Sequence, residues 1–188
     1  MIENFSKKEN FDSMVLATLN ELKIDKDKKD IIQSSLFPNG LMSLMMEMND
    51  IINELTHKKK KPRNFKKFKI NEKIKYFILT RLQIIQNLVD KKKIFFLMIK
   101  LSSFKSMNNI LFNVADEIWF LSGDKSTDMN YYSKRMILMK IYAATFCFFV
   151  FDNSDDFFNT KKFLEKQIST VLIFGKFKGK IKTFFNPQ

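Results

Sequence analysis

Apolar residues recur along this chain at intervals of three and four, the period of a helix with one buried face, and only four Gly and three Pro interrupt them. Phe11, Val15, Leu19 and Leu22 share the first such face, which the charged turn from Asp25 to Asp30 closes. A short helix is predicted from Lys29 to Ser35. Phe37-Pro38-Asn39-Gly40 then breaks the chain, and Leu41 to Leu55, dense in Met and Leu, forms a third helix. Periodicity resumes at Ile70, with Ile74, Phe77, Ile78, Leu82, Ile85 and Leu88 on one side. Shorter helices are predicted from Lys93 to Lys100 and, after Ser102 and Ser103, from Asn109 to Leu121. Two more follow, one ending at Phe151 before the break Asp152-Asn153-Ser154 and one from Asp155 to Ile173. The pattern predicts an all-α fold.

The longest uncharged run, Ile141 to Phe151, has eleven residues, whereas a bilayer-spanning helix needs about 20. It reads as a buried core helix. Ahead of it, Gly123 suits the left-handed residue that ends a helix. Ser126 or Thr127 can accept a hydrogen bond from the start of the next helix, and Asp128 complements the positive end of its dipole. On these residues alone, SGDKSTD is a capped helix junction.

The tail carries a second pattern. At about 100° per residue, Phe174, Phe177, Ile181, Phe184 and Phe185 fall within one sector, with Lys176, Lys180 and Lys182 elsewhere and Lys178 at the boundary. Gly175 and Gly179 each weaken such a helix by about 1 kcal/mol relative to Ala. Large aromatics opposite lysines predict a helix that lies in an anionic membrane surface. The alternative is a last helix packing its Phe face onto the domain.

Composition narrows the function. With 188 residues, 45% of them hydrophobic and 22 of them Phe, the chain is long and apolar enough for a genuine core and is not disordered. Its formal charge of +13 invites nucleic acid or anionic membrane as a partner. The three N-terminal helices have a helix-turn-helix pattern, yet no Lys or Arg occurs from Ile31 to Thr56, and Glu47, Asp50 and Glu54 would repel phosphates. The unit reads as a DNA-binding motif whose reading helix has lost its function. The densest basic cluster, His57 to Lys69, is expected to be a solvated interhelical segment. Cys147, the only cysteine, excludes an internal disulfide and is expected to be buried. The first residues suggest neither a secretory nor a transit peptide, so an intracellular protein is expected. P-loop, dinucleotide, GxSxG, HExxH and CxxC patterns are absent, and His57 has no second histidine for a metal site. Asp116, Glu117, Asp124 and Asp128 crowd helix ends, where carboxylates cap more often than they catalyse. No enzyme, cofactor or metal is expected.

Asp116-Glu117-Ile118-Trp119, then Gly123-Asp124-Lys125-Ser126-Thr127-Asp128, Asn130, Tyr132, Lys134-Arg135 and Tyr142, resemble a motif run of the coenzyme Q (ubiquinone) biosynthesis accessory proteins, the ninth of the Coq series. Asp152, Ser154, Asp156-Phe157 and Phe163-Leu164 look like its later positions, and Leu36-Phe37-Pro38, Gly40, Lys69-Ile70 and Arg81-Leu82 match more loosely. The resemblance implies a TetR-like fold with a degenerate helix-turn-helix, used to bind lipid rather than DNA. It implies a homodimer, an isoprenoid quinone or other lipid as ligand, a peripheral place on an anionic membrane surface, and presentation of the quinone precursor to a di-iron hydroxylase. That surface would be the cytoplasmic face of a bacterial inner membrane or the mitochondrial inner membrane.

Carried over residue by residue, Asp128, Asn130, Tyr131 and Tyr132 would meet the hydroxylase. Met129 and Tyr131 depart from the usual Phe and Trp there. Trp119, Leu138, Ile141, Tyr142, Thr145, Phe146 and Phe149 would form the lipid-binding wall. Phe174, Phe177, Lys178, Ile181, Phe184 and Phe185 would hold the membrane. The chain accordingly divides into a degenerate helix-turn-helix region (1–56), a basic connecting segment (57–69), a helical lipid-binding core (70–173) and an amphipathic tail (174–188). A TetR-like DNA-binding regulator is the alternative, and a basic interaction module built on His57 to Lys69 is a third reading.

Overall fold

The computed structural model describes residues 11–101, 104–127 and 129–185, with side chains described at these positions except 26, 97, 100, 101, 104 and 172–185. The described residues form eight α-helices and three short 3-10 turns, with no strand, so the fold is all-α. The helices are α1 (Phe11–Glu21), α2 (Lys29–Leu36), α3 (Leu41–Lys58), α4 (Ile70–Leu88), α5 (Lys91–Leu101), α6 (Phe104–Ser122), α7 (Met129–Phe151) and α8 (Phe158–Phe185).

Each helix forms where the apolar period placed one. α1 buries Met14, Val15 and Leu19, and α2 buries none of its residues. The break between α2 and α3 is held by Phe37, edge-on to Phe11 at 5.8 Å. Gly40 there takes φ +56, a conformation open to glycine. α3 turns Leu41, Leu44, Met45, Met48 and Ile52 inward against α4 and α6. Its outward side carries the exposed acids Glu47, Asp50 and Glu54, an arrangement opposed to phosphate contact.

Phe65 tethers the basic segment, and the Tyr76 hydroxyl adds a bond to the Lys60 carbonyl at 3.2 Å. Phe65 is buried against the rings of Phe68, Tyr76 and Phe77 at 5.3–5.5 Å, while Lys59, Lys60, Lys61, Arg63, Lys66 and Lys67 remain exposed. Burial of one aromatic side chain offsets the ordering of a short loop around it. α4 then buries Ile74, Phe77, Ile78, Leu82 and Ile85, the face expected of it.

α7 packs on α6, α8 and α5. Leu138, Ile141, Tyr142, Thr145 and Phe149 face inward, but Cys147 is exposed, contrary to the expected buried thiol. The reason is phase. At 3.6 residues per turn, position 147 lies about half a turn from the inward sector, and a polarizable side chain in an apolar run still follows the helix. The outward side also shows Met136, Ile137, Phe148 and Phe151. No helix among the described residues is long and apolar enough to cross a membrane.

Two polar clasps fix the end of α7. Lys91 Nζ donates to the carbonyls of Phe149 (2.9 Å) and Asp152 (2.5 Å), satisfying acceptors that a helix end leaves open. Asp152 Oδ1 accepts from Ser154 N–H (2.9 Å) and its hydroxyl (2.7 Å), and Oδ2 from Thr160 N–H (2.8 Å) and its hydroxyl (2.6 Å). The carboxylate therefore caps the start of α8. Asp156 and Phe157 between them take positive φ of 48 and 41, held by Phe157 packing edge-on against Phe149 at 5.8 Å. α8 continues without a backbone break through Phe185, so the tail extends the helix before it. The side chains of Phe174, Phe177, Lys178, Ile181, Phe184 and Phe185, read as the membrane face, lie outside the described residues.

Burial alone would raise the Asp152 pKa, but the hydrogen bonds from Thr160 and Ser154 prevail and hold it at about 2. A depressed carboxylate stabilises the fold above its unfolded pKa, and that contribution is lost as pH falls through the folded value. Chemical denaturation from pH 7 to pH 2 is expected to lose about 2 kcal/mol through this group between about pH 4 and pH 2. Asp152→Asn is expected to be less stable at pH 7 by a similar amount and to show a flatter acid limb.

Candidate functional site

An apolar cavity of about 300 Å³ lies among α3, α4, α5, α6 and α7. Met45, Met48 and Ile52 of α3, Ile85 of α4, and Ile110, Leu111 and Val114 of α6 form one part of its wall. α5 contributes Ile94, Phe95, Met98 and Ile99, and α7 contributes Tyr142, Ala143, Phe146 and Cys147. Exposure orders these residues into a closed end and an open one. Met48, Asn49, Ile52, Arg81 and Val114 are buried, whereas Ile99 and Cys147 are exposed. Methionine thioethers at Met45, Met48, Met98 and Met107 make part of the wall deformable. The small side chain of Ala143 leaves space on α7 between the larger Tyr142 and Phe146.

The closed end contains the polar groups of the cavity. Arg81 Nη2 donates to Asn49 Oδ1 at 2.8 Å, Nη1 donates to Asn53 Oδ1, and the guanidinium lies over the Tyr142 ring at 5.9 Å. Tyr142 and Phe146 are stacked, with centroids 6.3 Å apart and planes 12° from parallel. The wall can therefore take a largely apolar ligand with one oxygenated end. No group of His, Cys, Asp or Glu suited to a metal occurs among the described residues, and His57 instead pairs with Glu117.

Of the residues read as a lipid wall, Tyr142 and Phe146 line this cavity. Leu138, Ile141 and Phe149 belong to the adjoining core, and the Thr145 hydroxyl donates to the Ile141 carbonyl at 2.7 Å within α7. Trp119 lies elsewhere: its Nε1 donates to the Lys134 carbonyl at 3.1 Å, with Lys134 Nζ 5.4 Å from its ring centre. The contributions of α3, α4, α5 and α6, Arg81 among them, were not anticipated. The Met-rich inner face of α3 was their one visible signal, because a shared void is a property of packed helices and not of one helix.

The junction between α6 and α7 is a second concentration of chemistry. Gly123, at φ +89, closes α6 with Gly123 N–H to Phe120 C=O (2.9 Å) and Asp124 N–H to Trp119 C=O (3.0 Å), the paired bonds of a Schellman end. This geometry turns the Asp124 carboxylate inward. It accepts from Lys134 Nζ (2.7 Å), Ser126 Oγ (2.6 Å) and Arg135 Nη1 (2.9 Å). Burial pushes the Asp124 carboxyl upward, yet these three donors overcome it and hold the group well below the usual carboxylate range.

Arg135 also donates from Nε to Asp116 Oδ1 (2.7 Å) and packs over the Tyr131 ring at 3.4 Å. The Tyr131 hydroxyl donates to the same Asp116 oxygen (2.8 Å). That bond pushes the phenol above its ordinary pKa.

The residues read as a partner patch thus divide by environment. Tyr131 is half-buried and tied into the junction, Asn130 is exposed, and Tyr132 is 58% exposed beside Met129 at 79%. The Tyr131 and Tyr132 rings meet edge-on at 5.1 Å. Asp128 lies outside the described residues.

Comparison with known proteins centres on this same part of the chain. The family described as COQ9 matches residues 104–175, covering α6, α7 and the first part of α8. The mitochondrial ubiquinone biosynthesis protein COQ9 of Bos taurus is 37% identical over 75 residues, which are 40% of this chain and 24% of that protein. The Homo sapiens protein of that name is 33% identical over 75 residues, again 40% and 24%. The probable mitochondrial ubiquinone biosynthesis protein coq9 of Dictyostelium discoideum is 29% identical over 112 residues, 59% of this chain and 36% of that protein. The matched stretch spans about a quarter to a third of the length of these relatives. The likeness to the COQ9 family thus lies in residues 104–175, which contain the junction and two helices of the cavity wall.

Proposed function

We propose that this chain is a non-catalytic lipid-binding accessory protein of ubiquinone biosynthesis. It takes isoprenoid quinone intermediates into the α3–α7 cavity at a membrane surface and presents them to the di-iron demethoxyubiquinone hydroxylase. The observation that carries this reading is the cavity itself, about 300 Å³ and almost wholly apolar. That volume is at the lower limit of small-molecule sites. It suits a quinone ring with the first part of its tail, the remainder leaving past Ile99 and Cys147. Transfer from bilayer to cavity exchanges one apolar environment for another, so the hydrophobic contribution nearly cancels and the protein acts on access. The names of the relatives place them in ubiquinone biosynthesis and in mitochondria, which supports the mitochondrial inner membrane as the surface.

Within this reading, the tail of α8 lies on the anionic leaflet, with the exposed lysines of 59–67 available to add charge attraction. The outward apolar residues Met136, Ile137 and Phe151 of α7 suit contact with a second copy of the chain. Asn130 and Tyr132 offer the hydroxylase a polar and aromatic patch beside the half-buried Tyr131.

Mass spectrometry of lipids retained through purification is expected to find an isoprenoid quinone or its precursor. A protein that retains none, and takes up none from liposomes, would sink the proposal. Deleting the chain after Ile173 is expected to reduce liposome flotation while far-UV circular dichroism keeps its helical form; unchanged flotation would favour a packed tail. At the junction, Tyr132→Ala is expected to weaken hydroxylase capture with an unchanged melting temperature. Tyr131→Phe, which loses the bond to Asp116, is expected to cost about 1 kcal/mol of stability in urea denaturation.

A further inference from the structure

Arg81 is a charge without a counter-charge. It is 1% exposed, and of its five N–H donors the two with partners reach the neutral amide oxygens of Asn49 and Asn53. Its Nε has no acceptor. Among the described residues no carboxylate pairs with it. The contrast with Arg135 is direct, since that buried guanidinium is flanked by Asp116 and Asp124. A guanidinium taken out of water and given only neutral acceptors recovers little of its desolvation cost. This one forms part of the closed end of the apolar cavity, where a ligand's polar end would arrive.

We propose that Arg81 is the head-group anchor of the cavity, donating to an oxygen acceptor on a flat-headed amphiphile whose apolar tail runs toward Ile99 and Cys147. The inference rests on the reading of the cavity as a lipid site and deepens it by fixing the direction of entry and the chemistry of the head. Asn49 and Asn53 hold the two terminal nitrogens, so the planar fork is oriented before ligand arrives, and Nε remains available. Asn49 is itself in the wall and brings amide donors beside the guanidinium. The stacked Tyr142 and Phe146 provide a flat apolar side against which an oxygenated ring fits. The acceptor that satisfies this site is a quinone carbonyl or a ring carboxylate; both present the same oxygen to the same donor.

The test uses three probes with one ring and one tail: decyl-para-benzoquinone, para-decylbenzoate and decylbenzene, each measured by displacement of Nile red from the full chain. The wild-type protein is expected to bind at least one oxygen-headed probe about tenfold or more tightly than decylbenzene. The benzoate arm separates an anionic acceptor from the neutral carbonyl of the quinone arm. Arg81→Met is expected to bring the three probes to within about twofold of one another and to melt no lower than the wild type, because it deletes a buried charge that has no counter-charge. Equal wild-type affinity for the three probes, or an unchanged preference in R81M, overturns the anchor while leaving the lipid cavity standing. Binding of none of the three overturns both. The wild-type comparison needs no variant, so it decides the matter even where R81M does not fold.

Discussion

The guanidinium of Arg135 joins what the rest of the structure needs joined. It bonds to Asp116 on α6 and to Asp124 in the turn, and it lies against Tyr131 on its own helix. These contacts fix the direction in which α7 leaves α6. α7 then supplies a wall of the cavity on one side, the core on another and an exposed apolar surface on a third. A shift in its start would move Tyr142 and Phe146 relative to α5 and change the exposure of Asn130 and Tyr132. The cost of burying Arg135 is met by two carboxylates, one of them almost fully enclosed, and removing both would strand the guanidinium.

Two buried arginines in one small fold, one compensated and one not, separate structure from binding. At the junction the charged donors Lys134 and Arg135 each reach a carboxylate, although the buried Ser122 hydroxyl has no partner among the described residues. In the cavity Arg81 finds two amides and leaves its Nε without an acceptor. The chain pairs its buried charge at the junction and leaves a buried charge without a counter-charge beside an apolar cavity. A site that receives a polar end in an apolar sleeve has this distribution.

Much of the fold was legible because helix period is a local property. The inner faces of α3 and α4, the break at Phe37 to Gly40, the left-handed Gly123 and the stop at Asp152 all follow from nearest-neighbour geometry. Phase decided Cys147: composition suggested burial, but the helix turned that position outward. Trp119 was assigned to the ligand through the family resemblance, yet its indole N–H serves the Lys134 carbonyl. The Phe65 tether and the wall residues of α5 and α6 were not legible, since each depends on which helix passes opposite. The family likeness was read over nearly the whole chain from short motifs, while its match is concentrated at residues 104–175.

The methionines offer a direct view of occupancy. Met45, Met48, Met98 and Met107 line the cavity, whereas Met129 and Met136 lie on the exposed side of α7. With carbon-13 methyl-labelled protein titrated with decyl-para-benzoquinone, the account predicts saturable shifts at the four cavity methyls and none at Met129 or Met136. Shifts confined to the surface pair, with Met45, Met48, Met98 and Met107 unmoved, would contradict it.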